Sequence, residues 1–448
     1  MTESLTLIEP AAEEYDAART GFQTYRPLRP DLIAVPETVD DLAAAVRIGA
    51  GRGLPIAVQA TGHGTPDGPE TGLLITTSRL TGVRIDPERR TALVDAGADW
   101  GTVVAAAAGH GLAGLAGNAR TVGAVGYTVG GGLGPLGRRY GFAADHVRSV
   151  ELITAAGEPL TVTADSDPDL FWAVRGGGGN FGVVARIELD LFPVDRLYGG
   201  MLIFDTPLLE RGMRTWREWL ETVPDQVTST AVVVPFPDLP QLPPPLRGRH
   251  VLSVRVTVSE DVERGEELVR PLREIGEPLV DTLRVLPYAE IATINNDPTE
   301  PAASRTAGAL LDDLDPAVIT ELLAAAGPGT ERPPVIELRH LGGAVARPPA
   351  VPNAIDHRDA GFLLGLVSPL PVPGPEAAAA AGEVQRRALS AVAARDTGGR
   401  FLNFVGSHAD AVAARSVWTD ASYARLRAIK NRVDPDNLFR INANIPPA

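Results

Sequence analysis

From Gly109 to Gly141 the chain reads GHGLAGLAGNARTVGAVGYTVGGGLGPLGRRYG, and this density of glycine limits what the chain can fold into more than any other stretch. Glycine inside a helix or strand costs backbone entropy and supplies no side chain to a core. No stable helix is expected here. Glycine does permit positive φ and close approach of the main chain to something flat or charged, so a large ligand is implied. Successive N–H groups in glycine turns form concavities that bind anions. The same texture also suits a purely structural loop.

The obvious nucleotide motifs fail. Gly132-Leu-Gly134-Pro-Leu-Gly137 formally satisfies G-x-G-x-x-G. It follows Tyr127-Thr-Val-Gly130-Gly131 rather than a solid strand, and Pro135 interrupts the turn where a helix should begin, so a dinucleotide-binding βαβ unit is rejected. A phosphate loop ending in G-K-[ST] is excluded, because Lys430 is the only lysine.

At 448 residues the chain is too long for one ordinary core, which implies two domains or one two-lobed fold. Its 41 basic against 56 acidic residues give a formal charge of −15, which repels nucleic acid. The absence of cysteine removes disulfides, thiolate metal sites, iron–sulfur clusters and thiol nucleophiles. The histidines lack metal-binding spacing, so no metal is expected. The N-terminal stretch carries acids and no long apolar core, and no run approaches membrane-spanning length. A cytoplasmic location, with no membrane partner, is the resulting expectation.

Hydrophobic spacing predicts a helix over 37–52 and a buried strand over 54–60 that runs into Thr61-Gly62-His63-Gly64. Strands follow at 72–76, 82–85 and 91–96, a helix at 100–108, a hairpin at 147–163, a capped helix from 167 and a strand over 183–192. After residue 200 the reading gives strands at 201–204, 231–234, 250–258, 334–340, 361–367 and 400–405. Helices fall at 213–220, 262–274, 316–326 and 377–393, and 235–245 is a proline-rich loop. The fold class is α+β, with an antiparallel sheet backed by helices in the second half. His63, on a glycine turn at the end of a strand, suits a nucleophile, a base or a turn residue without a role.

Four blocks carry a resemblance: the T-G-H-G turn; Thr121-Val-Gly123 through Gly134 with Arg139-Tyr-Gly to Asp145; Phe171-Trp through Gly182-Val-Val184; and Asn403-Phe404 with Tyr423 to Asn444-Ile-Pro-Pro. Together they resemble the vanillyl-alcohol-oxidase/PCMH flavoprotein superfamily, and within it the berberine-bridge-enzyme-like oxidases. The resemblance implies a PCMH-type FAD-binding domain over 26–197, a substrate domain over 198–400 and a C-terminal module over 401–448 that returns to the flavin. It implies FAD contacts at Gly62, His63, Gly64, Thr121, Val122, Gly123, Gly126, Gly130, Gly131, Asp145, Gly182, Val183, Val184, Asn403 and Asn444. The flavin 8α-methyl is expected on His63. Thr61 stands where the family has glycine, Phe401 where many relatives carry tyrosine, and Ala119 where some carry a second-attachment cysteine, so attachment is single.

The implied chemistry is hydride removal from a carbon bearing oxygen or nitrogen of a small molecule, with reoxidation by O2. The base is expected from Glu337, which shares a strand face with Arg339 while His340 points away, or from Tyr127 in the glycine block. Glu337 equally suits a structural partner for Arg339. The apolar strands of the second half suggest an organic rather than a highly charged substrate. A non-oxidative flavin cyclase or isomerase, a redox-silent binding protein of the same fold and a nicotinamide-dependent dehydrogenase are the competing readings.

Overall fold

A computed structural model of the chain describes residues 5–64, 71–406 and 411–448. Two small sheets use strands that end before residue 191. In the first, Leu32–Val35 and Ile56–Gln59 flank Leu73–Thr76 in parallel, and Thr6–Ile8 adds an antiparallel edge. In the second, Val183–Asp190 runs antiparallel between Thr91–Asp95 and Val147–Ile153. A third, eight-stranded sheet spans Arg196–Phe204 to Phe362–Pro369 and is antiparallel throughout. The class is α+β.

Local sequence rules account for many of the elements. The helix Val39–Arg52 opens on a reciprocal cap between Thr38 and Asp41 and closes on Gly53 in the left-handed region. Its Leu42, Ala43 and Val46 bury against Ile56, Leu73 and Ile75 of the parallel strands. In the large sheet, period-two alternation sorts the faces. Leu252, Val254, Val256 and Val258 pack with Trp216, Leu272 and Leu322 of the backing helices. Ser253, Arg255 and Thr257 take the opposite face of the same strand, His250–Val258.

Two expectations are corrected. The glycine block does form helix, at Ala124–Val129 and Gly137–Tyr140. Ala124, Val125, Tyr127 and Val129 join one buried cluster with Trp100 and Phe171, and this tertiary burial outweighs poor intrinsic propensity. Residues 400–405 do not form a strand; Leu402–Phe404 is a short 3-10 turn that carries Asn403 back to the glycine block. The sequence reading also missed the strands Leu32–Val35 and Ser304–Leu311 and did not assign the helix Asp420–Val433.

That last helix carries the single lysine. Lys430 and Asp434 are both fully buried and pair at 2.6 Å. The ammonium also donates to the carbonyls of Asn180 (2.7 Å) and Phe439 (3.2 Å). Asp434 in turn accepts from the Leu438 and Phe439 N–H groups. Burial lowers the lysine pKa and the Asp434 partnership opposes this. A buried charge stripped of its partner is costly, by about 3–5 kcal/mol. Thermal melts are therefore expected to show Asp434→Ala destabilised on that scale, and the Lys430→Met/Asp434→Leu double variant much less so.

Candidate flavin site and charged cavity

The T-G-H-G turn is held by a crossing of two backbones. Gly62 has φ +73°, and a Cβ there would lie 2.5 Å from Cα of Gly21. Phe22 N–H donates to the Thr61 carbonyl at 2.9 Å and Gln23 N–H to that of Gly62 at 3.0 Å. The Thr61 hydroxyl, present where a glycine was expected, accepts from the N–H of Gly123 at 3.0 Å and ties the turn to the start of the helix Ala124–Val129. His63 lies half-buried with Nε2 2.9 Å from the Thr121 hydroxyl, and its ring stacks on Phe22 with centroids 3.7 Å apart. Burial lowers its pKa to about 4, so the imidazole is neutral near pH 7.

Around this turn most of the remaining expected residues fall into four groups. Gly64 and Gly126 are exposed, and a Cβ at either meets no atom within 4 Å, so their main chain borders open space. Val122 and Gly123 lie in the short stretch whose Val122 carbonyl accepts from Trp100 N–H. Gly130 and Gly131 lie against the C-terminal module: a Cβ on Gly130 would stand 2.5 Å from the Asn403 amide, and one on Gly131 2.7 Å from the Phe401 ring. Asn403 accepts from Gly132 N–H and donates to the Tyr127 carbonyl, so its amide clamps the block. Gly182 leads into a central strand in which Val183 and Val184 bury their side chains in the core, leaving only main chain to face a ligand.

Asp145 is engaged within the protein. Its carboxylate receives Arg358 at 2.6 Å, the Asn353 amide at 2.6 Å and the Phe142 N–H at 2.9 Å, so the protein itself occupies it. Asn444, by contrast, has a buried amide oxygen without a partner. It sits between Ala443, whose carbonyl accepts from Asn180, and Ile445, whose N–H donates to Asn180.

The polar face of the large sheet and the glycine block enclose a cavity lined by Asn118, Thr230, Arg255, Asn295, Arg339 and His340 among others. Alternation sends the valines and leucines of these strands toward the helices and leaves the polar residues toward the cavity. Glu337 lies 2.9 Å from Arg339 and 3.9 Å from Arg255. Asp297, which the sequence reading missed, is 3.4 Å from Arg255; burial raises its pKa, with Arg255 opposing and Glu337 reinforcing. It follows Asn295-Asn296 in a turn where Asn296 has φ +50°, and that polar run between elements was the only signal. The Tyr127 hydroxyl is buried without a partner among the described residues, its ring meets Trp100 edge-on at 5.5 Å, and burial pushes its pKa well up.

The α+β frame, the histidine on its glycine turn and the C-terminal segment clamping the glycine block suit a flavoprotein oxidoreductase. Comparison with known proteins agrees. Residues 30–163 match the FAD binding domain family and residues 401–446 the family of berberine and berberine-like proteins. The (R)-6-hydroxynicotine oxidase of Paenarthrobacter nicotinovorans is 28% identical over 98% of this chain and 96% of its own. The chitooligosaccharide oxidase of Gibberella zeae is 25% identical over 96% and 89%. Among solved structures, 6-hydroxy-D-nicotine oxidase from Arthrobacter nicotinovorans superposes with a TM-score of 0.86 at 25% identity, covering 99% of this chain and 98% of that one. The chain is an FAD-dependent oxidoreductase with a berberine-like C-terminal segment. Among the described residues, no helix is long and apolar enough to cross a membrane.

His340 gives a pH test of the cavity wall. Its Nε2 lies 3.1 Å from the Arg138 guanidinium, and burial, then the charges of Arg138 and Arg217, lower its pKa to about 3. The unfolded chain therefore binds more protons below pH 6.5. The contribution of His340 to stability is complete above pH 6.5 and is lost toward pH 3, at up to ~1.4 kcal/mol per pH unit. Melts from pH 7 to pH 4 are expected to fall less steeply for His340→Gln than for the parent.

Proposed function

We propose that this protein is an FAD-dependent oxidase that removes a hydride from a C–OH or C–N carbon of a polar small molecule, with dioxygen as the final acceptor and the flavin tethered through His63. FAD supplies the hydride-accepting ring. The observation that carries the reading is the His63 imidazole held by Thr121 and Phe22 on the T-G-H-G turn, next to the exposed main chain of Gly64. A neutral imidazole has the free electron pair that bond formation requires. The unpartnered Asn444 oxygen is a second sign of fit, since a buried acceptor without a donor costs about 1–3 kcal/mol until a ligand supplies one.

In this reading residues 26–197 bind the cofactor, 198–400 bind the substrate and 401–448 close over the glycine block. His63, Thr121, Val122, Gly123, Gly126 and Asn444 border the cofactor directly, together with main chain at Gly62, Gly64 and Gly182 to Val184. Gly130, Gly131 and Asn403 shape its seat. The chitooligosaccharide and hydroxynicotine relatives, with the hydrogen-bonding wall of Thr230, Asn118 and Arg339, support a polar substrate.

The chain's own part in the reaction is to orient the substrate and take one proton. Arg255 and Arg339 hold the Glu337 carboxylate between them, and Asp297 stands behind Arg255 with a raised pKa. The proton released from the substrate O–H or N–H passes to this carboxylate pair, Glu337 first. A positioned general base contributes typically 10²–10⁴-fold.

Acid precipitation of purified protein tests the tether: yellow colour stays with the wild-type pellet and moves to the supernatant in His63→Ala. A colourless wild-type pellet with FAD in solution removes the covalent claim. Glu337→Gln is expected to slow flavin bleaching by a reducing substrate by about 10²-fold or more at unchanged FAD content, in anaerobic stopped flow.

A further inference from the structure

We infer that Phe22 is a positioning residue for flavin attachment, fixing the plane of the His63 ring so that Nδ1 faces the 8α carbon; this rests on the His63 tether proposed above. The imidazole and phenyl rings are nearly parallel, 13° apart, with centroids 3.7 Å apart. The Thr121 hydroxyl engages Nε2 at 2.9 Å, so Nδ1 is the nitrogen that Thr121 leaves available. One contact sets the plane of the ring and the other sets its rotation within that plane.

The position of Phe22 is itself fixed from both sides. Its N–H donates to Thr61 and its carbonyl accepts from Ala302 N–H, each at 2.9 Å. Gln23, next in sequence, donates to the Gly62 carbonyl at 3.0 Å and through its amide to the Ser304 hydroxyl at 2.9 Å. Residues 21–24 thus span from the histidine turn to the strand Ser304–Leu311 of the large sheet. A face-on aromatic partner held by main-chain bonds limits an imidazole that otherwise sits on a glycine turn with wide rotational freedom.

The bond-forming step balances as follows. A ring N–C bond forms at the 8α carbon, one C–H bond there and the imidazole N–H bond are lost, and the two protons and two electrons released pass to dioxygen as hydrogen peroxide. Phe22 takes no part in these transfers. It acts on geometry, and a misplacement of about 1 Å costs on the order of 10²-fold in such a step.

The test measures the fraction of flavin that stays with acid-precipitated protein, for wild type, Phe22→Leu, Phe22→Tyr and Thr121→Ala, each purified aerobically and matched for total FAD and melting temperature. Phe22→Leu is expected to lower the covalent fraction by roughly fivefold or more while retaining bound FAD. Phe22→Tyr, which keeps the stacked ring, restores it. Full attachment in Phe22→Leu at wild-type levels overturns the inference. Equal loss in Phe22→Leu and Phe22→Tyr also overturns it, because stacking is then not the property that matters. A wild-type pellet without colour instead removes the tether on which the inference rests, and is distinguished by failing before any variant is compared.

Discussion

A buried guanidinium ties the end of the glycine block to a connection within the large sheet. Arg175, 1% exposed, donates to the carbonyls of Ala144, Val351 and Phe171 and stacks on the Phe171 ring at 4.0 Å. Burial lowers its pKa to about 10, so it remains charged near pH 7 and needs those carbonyls where they are. Ala144 follows the glycine block, and Val351 lies in the connection between the strands Val335–His340 and Phe362–Pro369 of the large sheet. One residue away, Asp145 is bound by Arg358 and Asn353 of that same connection. Separating the two stretches here would expose unpaired charges of both signs, so the end of the glycine block and the wall of the cavity keep a fixed relation.

That fixed relation gives the sheet two unlike duties. One face packs valine and leucine on the helices and supplies stability; the other carries Arg255, Glu337 and Arg339, largely buried, where charges interact more strongly than in water. The alternation that builds a core on one side is what makes a polar cavity possible on the other. Mutual pairing lets two arginines and two carboxylates persist there without any single charge being stranded.

Much of this was legible from sequence where periodicity or caps are local. The helix Val39–Arg52 and the strand His250–Val258 follow from spacing alone, and the helix Trp100–Ala108 from its alanine run. The helix Ala124–Val129 was not, because what stabilises it is burial against Trp100 and Phe171, far off in sequence. The turn at Leu402–Phe404 depends likewise on a glycine surface some 270 residues earlier, as the 271-residue separation of Gly132 and Asn403 shows. At the site, the T-G-H-G turn was visible, whereas Phe22 and Asp297 were not: neither sits in a motif, and each matters only through a neighbour that the fold brings to it.

The only lysine in the chain is fully enclosed between Asp434 and two carbonyls. All other side-chain cations are arginines, whose guanidinium groups do not react with ordinary acylating reagents. Lysine-directed acylation of the folded protein therefore has no accessible side-chain target. Any acylated Lys430 found by mass spectrometry reports a moment when the C-terminal helix had opened, and the chain carries its own built-in probe for the loosening of the segment that closes over the glycine block.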